Sequence, residues 1–186
     1  NAKKYEDLFQ IAEKFKEEGN ELLKQNKFGE AIEKYTEELK ARLLKDNVDY
    51  YNSHYLEATK PYNGITEVLL RLKSEGMLLA CVTNKNDEPA KGLIEHFFPD
   101  LFDYVSGAVE GVEKKPSYQP MERCLHSLGV DNSEAIYIGD TDTDILTAKN
   151  ARMCCISCTW GYKDREFLMA HGAENICSVF LFAFST

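Results

Sequence analysis

The stretch YIGDTDTDILTA, residues 137–148, carries three aspartates at two-residue spacing, Asp140, Asp142 and Asp144, directly after a short apolar run. Clustered carboxylates of this kind suit a hard divalent cation, which takes oxygen ligands. Two other apolar runs end in groups that complement such a site. MLLACVTN (77–84) closes on the hydroxyl of Thr83 and the amide of Asn84, and YVSGAV (104–109) is followed by Lys114 and Lys115. A hydroxyl, an ammonium and carboxylates gathered in one place would hold a phosphate together with a cation.

Bringing these groups together is the task of the elements between them. From residue 65 onward, helical patterns at 65–75, 87–97, about 117–128 and about 143–150 alternate with apolar runs at 77–84, 104–109, 135–139 and 153–160. Continuous apolar strands separated by helices predict a Rossmann-like parallel sheet with helices on both faces, an α/β fold. Ligands of open parallel sheets bind beyond the carboxyl ends of the strands, and all three groups of residues stand at such ends. Each also has a plain structural reading: Thr83 capping a turn, Lys115 a solvated loop lysine, Asp140 a helix N-cap.

Residues 6–58 have a different texture, rich in Glu, Lys, Leu and Tyr with apolar positions every three or four residues, which predicts helices without strands. Pro61 and Gly64 in KPYNG break that pattern. The expected organisation is a helical, cap-like lobe over 1–60 and an α/β core over 61–186.

The gross composition excludes several classes. A chain of 186 residues that is 44% hydrophobic can bury a core and is not intrinsically disordered. The formal charge of −9 and the absence of a long basic run argue against a nucleic-acid partner. No apolar run reaches the ~20 residues of a membrane span, and the first residues lack a signal-peptide core, so a cytoplasmic location is expected. Cys155 and Cys158 form a C-x-x-C, but within a strand residues three apart point to opposite faces, so reduced core thiols are expected rather than a redox or zinc site.

Five segments, KPYNGITEVLLRLKSEG, CVTNK, KKPSYQP, IGDTDTDILTAKNA and WGY, occur in this order over about residues 46–175. Together they resemble the haloacid dehalogenase superfamily, specifically its phosphoglycolate-phosphatase-like branch. The resemblance implies that Thr83 and Asn84 hold phosphoryl oxygens, that Lys115 neutralises the phosphate and the developing charge, and that Asp140 and Asp144 hold Mg2+, directly or through orientation. Asp142 has no firm role in that pattern. The implied substrate is a small phosphorylated molecule and the implied reaction is hydrolysis of phosphate monoesters.

The same family begins its chemistry with a D-x-D-G-T segment whose first aspartate attacks phosphorus and whose second is general acid and base. No D-x-D-G-T occurs in this sequence. The similar apolar segment VFLFAFST (179–186) has Ala183 and Ser185 at the two carboxylate positions. It is read either as a degenerate first strand in a circular permutant or as an ordinary C-terminal tail. In both cases an impaired or inactive phosphatase is expected.

AEKFKEEGNELLKQNKFGEAIEKYTEEL (12–39) resembles a single tetratricopeptide repeat, with Ala12, Phe15, Gly19, Asn20, Leu22, Phe28, Ala31, Tyr35 and Leu39 at that repeat's packing positions. A lone repeat cannot bury its own faces. The hairpin is therefore expected either to serve as cap, with Tyr50, Tyr51, Tyr55 and Tyr62 towards substrate or in helical core, or to dock a protein partner as a non-catalytic or engineered scaffold.

Overall fold

The computed structural model describes residues 2–57 and 59–178, except for the side chains of 2–8, 47–49 and 51–54. Residues 179–186, including Ala183 and Ser185, lie outside the described residues. The chain divides into two compact units, residues 1–58 and 59–186.

The first unit is a pair of helices, α1 (Ala2–Lys24) and α2 (Phe28–His54), joined by a tight turn. Small residues let them approach: Ala12 and Ala31 are completely buried, and Ala41 nearly so. A Cβ on Gly19 would lie 3.0 Å from the Tyr35 ring, so a side chain there would require that ring to shift. The Tyr35 hydroxyl donates to Asn20 Oδ1 at 2.7 Å, and Arg42 joins Glu13 of α1 to Glu38 of its own helix. Phe28 and Leu39, expected among the packing positions, are instead 59% and 57% exposed. A two-helix pair has only one shared face, and these two side chains do not belong to it.

The second unit runs α3 (Ile65–Ser74), β1 (Ala80–Asn86), α4 (Asp87–Phe97), β2 (Tyr104–Ala108), α5 (Gln119–Leu128), β3 (Ile136–Gly139), α6 (Asp142–Asn150), β4 (Cys154–Cys158), α7 (Arg165–Ala170) and β5 (Asn175–Cys177). Every strand pair is parallel, as the alternating pattern requires. The expected single sheet is found as two, β2–β1 and β3–β4–β5, with no described hydrogen-bonded strand between β1 and β3. Helices α4 and α5 pack on the first sheet and α6 on the second.

Side chains tie the sheets together. Met121 of α5, Tyr137 of β3, Ala148 of α6 and Met153 form a buried cluster, and Val82 of β1 packs against it with Leu125 and Cys155. β1 also begins and ends later than the sequence pattern predicts. Its pairing with β2 is regular from Ala80↔Tyr104 to Val82↔Ser106 and then breaks before resuming at Asn86↔Ala108. Thr83 and Asn84 sit in that irregular stretch, where a strand re-aims its side chains.

Within β4 the C-x-x-C cysteines behave as core groups. Burial raises the Cys155 thiol and pushes Cys158 up to about 12, the opposite of an activated thiolate. Among the described residues no helix is long and apolar enough to cross a membrane.

Candidate active site

The loop that enters α5 is pinned to the end of β1. Asn84 Nδ2 donates to the Lys115 carbonyl, and the Lys115 amide donates to Asn84 Oδ1, both at 2.9 Å. Both hydrogen-bonding ends of this amide are therefore engaged by backbone. Asn84 fixes where the lysine starts, a role the sequence did not disclose. Thr83 stands beside it with its Oγ1 accepting from the Lys85 amide at 3.2 Å.

From that anchored start the Lys115 side chain reaches the other sheet. Its Nζ donates to Asp144 Oδ1 at 2.8 Å and to the Tyr137 hydroxyl at 3.0 Å, and that hydroxyl donates to the same Oδ1 at 2.8 Å. Lys115 and Asp144 form an ion pair with side chains only 13% and 9% exposed. Tyr137, at the middle of β3, reads in sequence as ordinary strand core; only the structure shows its hydroxyl in this network.

Asp144 belongs to the first turn of α6. Thr141 is that helix's N-cap, and its Oγ1 accepts from the Asp144 amide while Asp144 Oδ2 accepts from the Thr141 amide and hydroxyl, at 3.1 and 2.6 Å, closing a capping box. The Asp140 amide adds a bond to Oδ2 at 3.2 Å. The carboxylate is thus served by donors on both oxygens while almost wholly buried. Burial by itself would raise its pKa, but the bonds from Lys115 and Thr141 and the lysine charge outweigh it, holding the carboxyl below its ordinary value. Burial, followed by the charge of Asp144, pushes the Tyr137 hydroxyl upward, so it stays a donor.

Asp140 follows β3 and is only partly buried. Its Oδ2 accepts from the Tyr162 amide at 2.7 Å, in the loop after β4. That loop comes close enough to need glycine: a Cβ on Gly161 would fall 2.0 Å from Asp140 Oδ2. Gly139 is constrained in the same way, with an added Cβ 2.3 Å from Asp144 Cβ. Asp142 is the first residue of α6 and lies in its acidic first turn with Asp144.

The chain thus connects Asn84, Lys115, Tyr137, Asp144 and the Asp140 backbone through direct hydrogen bonds, with Thr83 adjacent in sequence to the first of them. The Lys115 ammonium, the Tyr137 hydroxyl and the Asp144 carboxylate meet in one hydrogen-bonded cluster, while the Thr83 hydroxyl bonds to the Lys85 amide. Among the described residues no group of three His, Cys, Asp or Glu side chains is arranged around a metal position. The donor set instead gives one partly buried carboxylate with an oxygen to offer, Asp140, and one carboxylate already committed, Asp144.

A family model described as haloacid dehalogenase-like hydrolase matches residues 3–158, a span that takes in the helical pair as well as the site. The chain is 37% identical over 129 residues to a phosphoglycolate phosphatase of Aquifex aeolicus, covering 67% of this chain and 61% of that protein. It is 36% identical over 127 residues to a phosphoglycolate phosphatase of Neisseria meningitidis, covering 68% and 54%. It therefore spans between half and two thirds of the length of these relatives. Among solved structures, a candidate phosphoglycolate phosphatase from Lactobacillus delbrueckii subsp. bulgaricus superposes with a TM-score of 0.70 at 32% identity, covering 84% of this chain and 61% of that one.

Proposed function

The chain belongs to the haloacid dehalogenase-like hydrolase family, and from that premise we propose that residues 59–186 bind the phosphate group of a small phosphate monoester together with Mg2+, in the manner of a phosphoglycolate phosphatase. The observation that carries this reading is the bridge from Lys115 to Asp144 and Tyr137, which places one part-buried ammonium at the junction of two sheets. Two of its three N–H groups have protein partners in that network, and a phosphate oxygen would take the third. Thr83 supplies a hydroxyl on the β1 side. Asn84, expected to contact phosphate, acts in this reading through the backbone of Lys115.

Of the two aspartates expected to hold the metal, Asp140 fits direct coordination. Magnesium retains waters and needs only one or two protein carboxylates. Asp144 fits the orienting role, as counter-ion of Lys115. Bound magnesium would neutralise phosphate charge at this rim.

The 186 residues hold no D-x-D-G-T segment, and the proposal for this chain is binding without turnover. Positioning and charge neutralisation remain, but there is no attacking carboxylate among the groups gathered here. Calorimetric titration with inorganic phosphate in the presence of magnesium tests the site, with para-nitrophenyl phosphate hydrolysis assayed in parallel. Saturable binding that Lys115→Ala removes is the expected result. Absence of binding overturns the site, and hydrolysis that Asp140→Asn abolishes overturns the claim of no turnover.

The helical pair supports a cap reading through the family match that begins at residue 3. A second reading, docking of a protein partner, is favoured by Phe28, Ile32, Leu39 and Leu43, which are all more than half exposed. Their spacings of four, seven and four residues put them on one helical face. Loss of a crosslinked partner on Ile32→Glu and Leu39→Glu would distinguish docking from the cap.

A further inference from the structure

We propose that Tyr137 is a positioning residue for phosphate binding: its buried hydroxyl, set between Lys115 and Asp144, confines the lysine ammonium to one direction and thereby sets the affinity of the site. The inference rests on the reading of Lys115 given above and deepens it.

The three polar atoms form a closed triangle, with Lys115 Nζ 2.8 Å from Asp144 Oδ1 and 3.0 Å from the Tyr137 hydroxyl, which is itself 2.8 Å from Oδ1. Chemistry fixes the direction of each bond. A lysine ammonium has three donors and no acceptor, so the phenol must accept from it, and the single phenolic proton must go to the carboxylate. The order of donation is lysine to tyrosine to aspartate, with lysine also donating to aspartate directly.

A lysine stem is long and flexible, and one ion-pair contact would let its ammonium pivot about the carboxylate oxygen. The second contact removes that freedom. Nζ also lies 5.7 Å from the centroid of the same ring, so the aromatic wall limits how far the stem can swing. Tyr137 is 6% exposed and packs in the cluster with Met121, Ala148 and Met153, which fixes its own rotamer. An amino acid with the same ring and no hydroxyl would fill that cluster equally well. The hydroxyl is thus the part of the side chain that packing does not explain.

Tyr137→Phe separates the two roles. Titration with inorganic phosphate, magnesium present, is expected to show affinity about tenfold weaker than wild type, the effect of one lost hydrogen bond to a charged group. Nitrogen-15 NMR of the Lys115 ammonium supplies a readout that core packing does not move. In the wild type its protons should exchange slowly and its rotation be restricted; in Tyr137→Phe both should be released. Unchanged affinity in Tyr137→Phe, where Lys115→Ala abolishes binding, overturns the positioning role alone. Unchanged affinity in Lys115→Ala overturns the underlying reading and this inference with it. Should Tyr137→Phe not fold, the wild-type spectrum still decides, because a freely rotating, rapidly exchanging Lys115 ammonium contradicts the proposal.

Discussion

The side-chain amide of Asn84 and the backbone of Lys115 form a reciprocal pair of hydrogen bonds, each 2.9 Å long, across 31 positions of sequence. An aspartate at position 84 could still accept from the Lys115 amide but could no longer donate to its carbonyl, and would face that carbonyl with like charge. Asn84→Asp should therefore lower stability by about 2 kcal/mol, the range for an unsatisfied part-buried group. Urea unfolding checks the loss, and phosphate titration should show weaker binding as the lysine loop loosens.

Acid stability follows from Asp144. Its carboxyl sits below the ordinary value in the folded protein, so it contributes stability that is fully present above about pH 4 and lost as pH falls through the folded value. Asp144→Asn removes that acid dependence while leaving the part-buried Lys115 ammonium without its counter-ion, and should cost about 3 kcal/mol at neutral pH. Thermal unfolding of both proteins between pH 7 and pH 3 checks it: the wild-type curve should fall on acidification and the variant's contribution from this site should be flat.

Gly161 offers a test of Asp140 as the proposed metal ligand without touching a charged group. A Cβ there would overlap Asp140 Oδ2 at 2.0 Å, which forces the carboxylate or the loop to move. Gly161→Ala should weaken magnesium binding, measured by calorimetry, by about tenfold, comparable to disturbing the outer contacts of a metal ligand. Magnesium affinity equal to wild type would remove Asp140 from the metal-binding role.

Away from the site, Asp103 joins the segment before β1 to the start of β2. Its carboxylate accepts from Lys73 Nζ and, at 2.8 Å, from the Leu79 amide, and the bond from Lys73 leads the effects that hold it below the usual carboxylate range. The pair is about a third exposed, so its ionic part is weak. Asp103→Ala should cost about 1 kcal/mol, chiefly through the Leu79 amide, read as a lower urea midpoint with phosphate binding unchanged.

Much of the α/β unit was legible because its strands are nearly pure apolar runs and its helices begin and end near charged or small residues. The predicted helix at 87–97 matches α4, and the run 104–109 matches β2 to within a residue. After residue 160 the pattern fails: α7 has six residues and β5 three, too short for any periodicity to register. The interruption between β1 and β3 was not legible, since sheet order depends on contacts that a linear pattern does not encode.

Thr83, Lys115 and Asp140 were picked out as candidates by residue type and by place after strand ends. The division of labour among them was not. An asparagine serves a ligand or a backbone equally well by type, and a tyrosine in an apolar run has every appearance of filler. Asp144 lies four residues after Asp140 and shares its chemistry, yet one stays partly open while the other is enclosed by a helix cap and a lysine. Burial and partners, which only folding supplies, separate the two.

The two sheets meet without backbone pairing among the described residues, so the polar bridge at their junction also serves as a clasp. In the proposed phosphate site, recognition and cohesion draw on the same handful of atoms. A change that sharpens or relaxes the grip on an anion will also tighten or loosen the joint, and evolution of the binding rim is tethered to the survival of the fold beneath it.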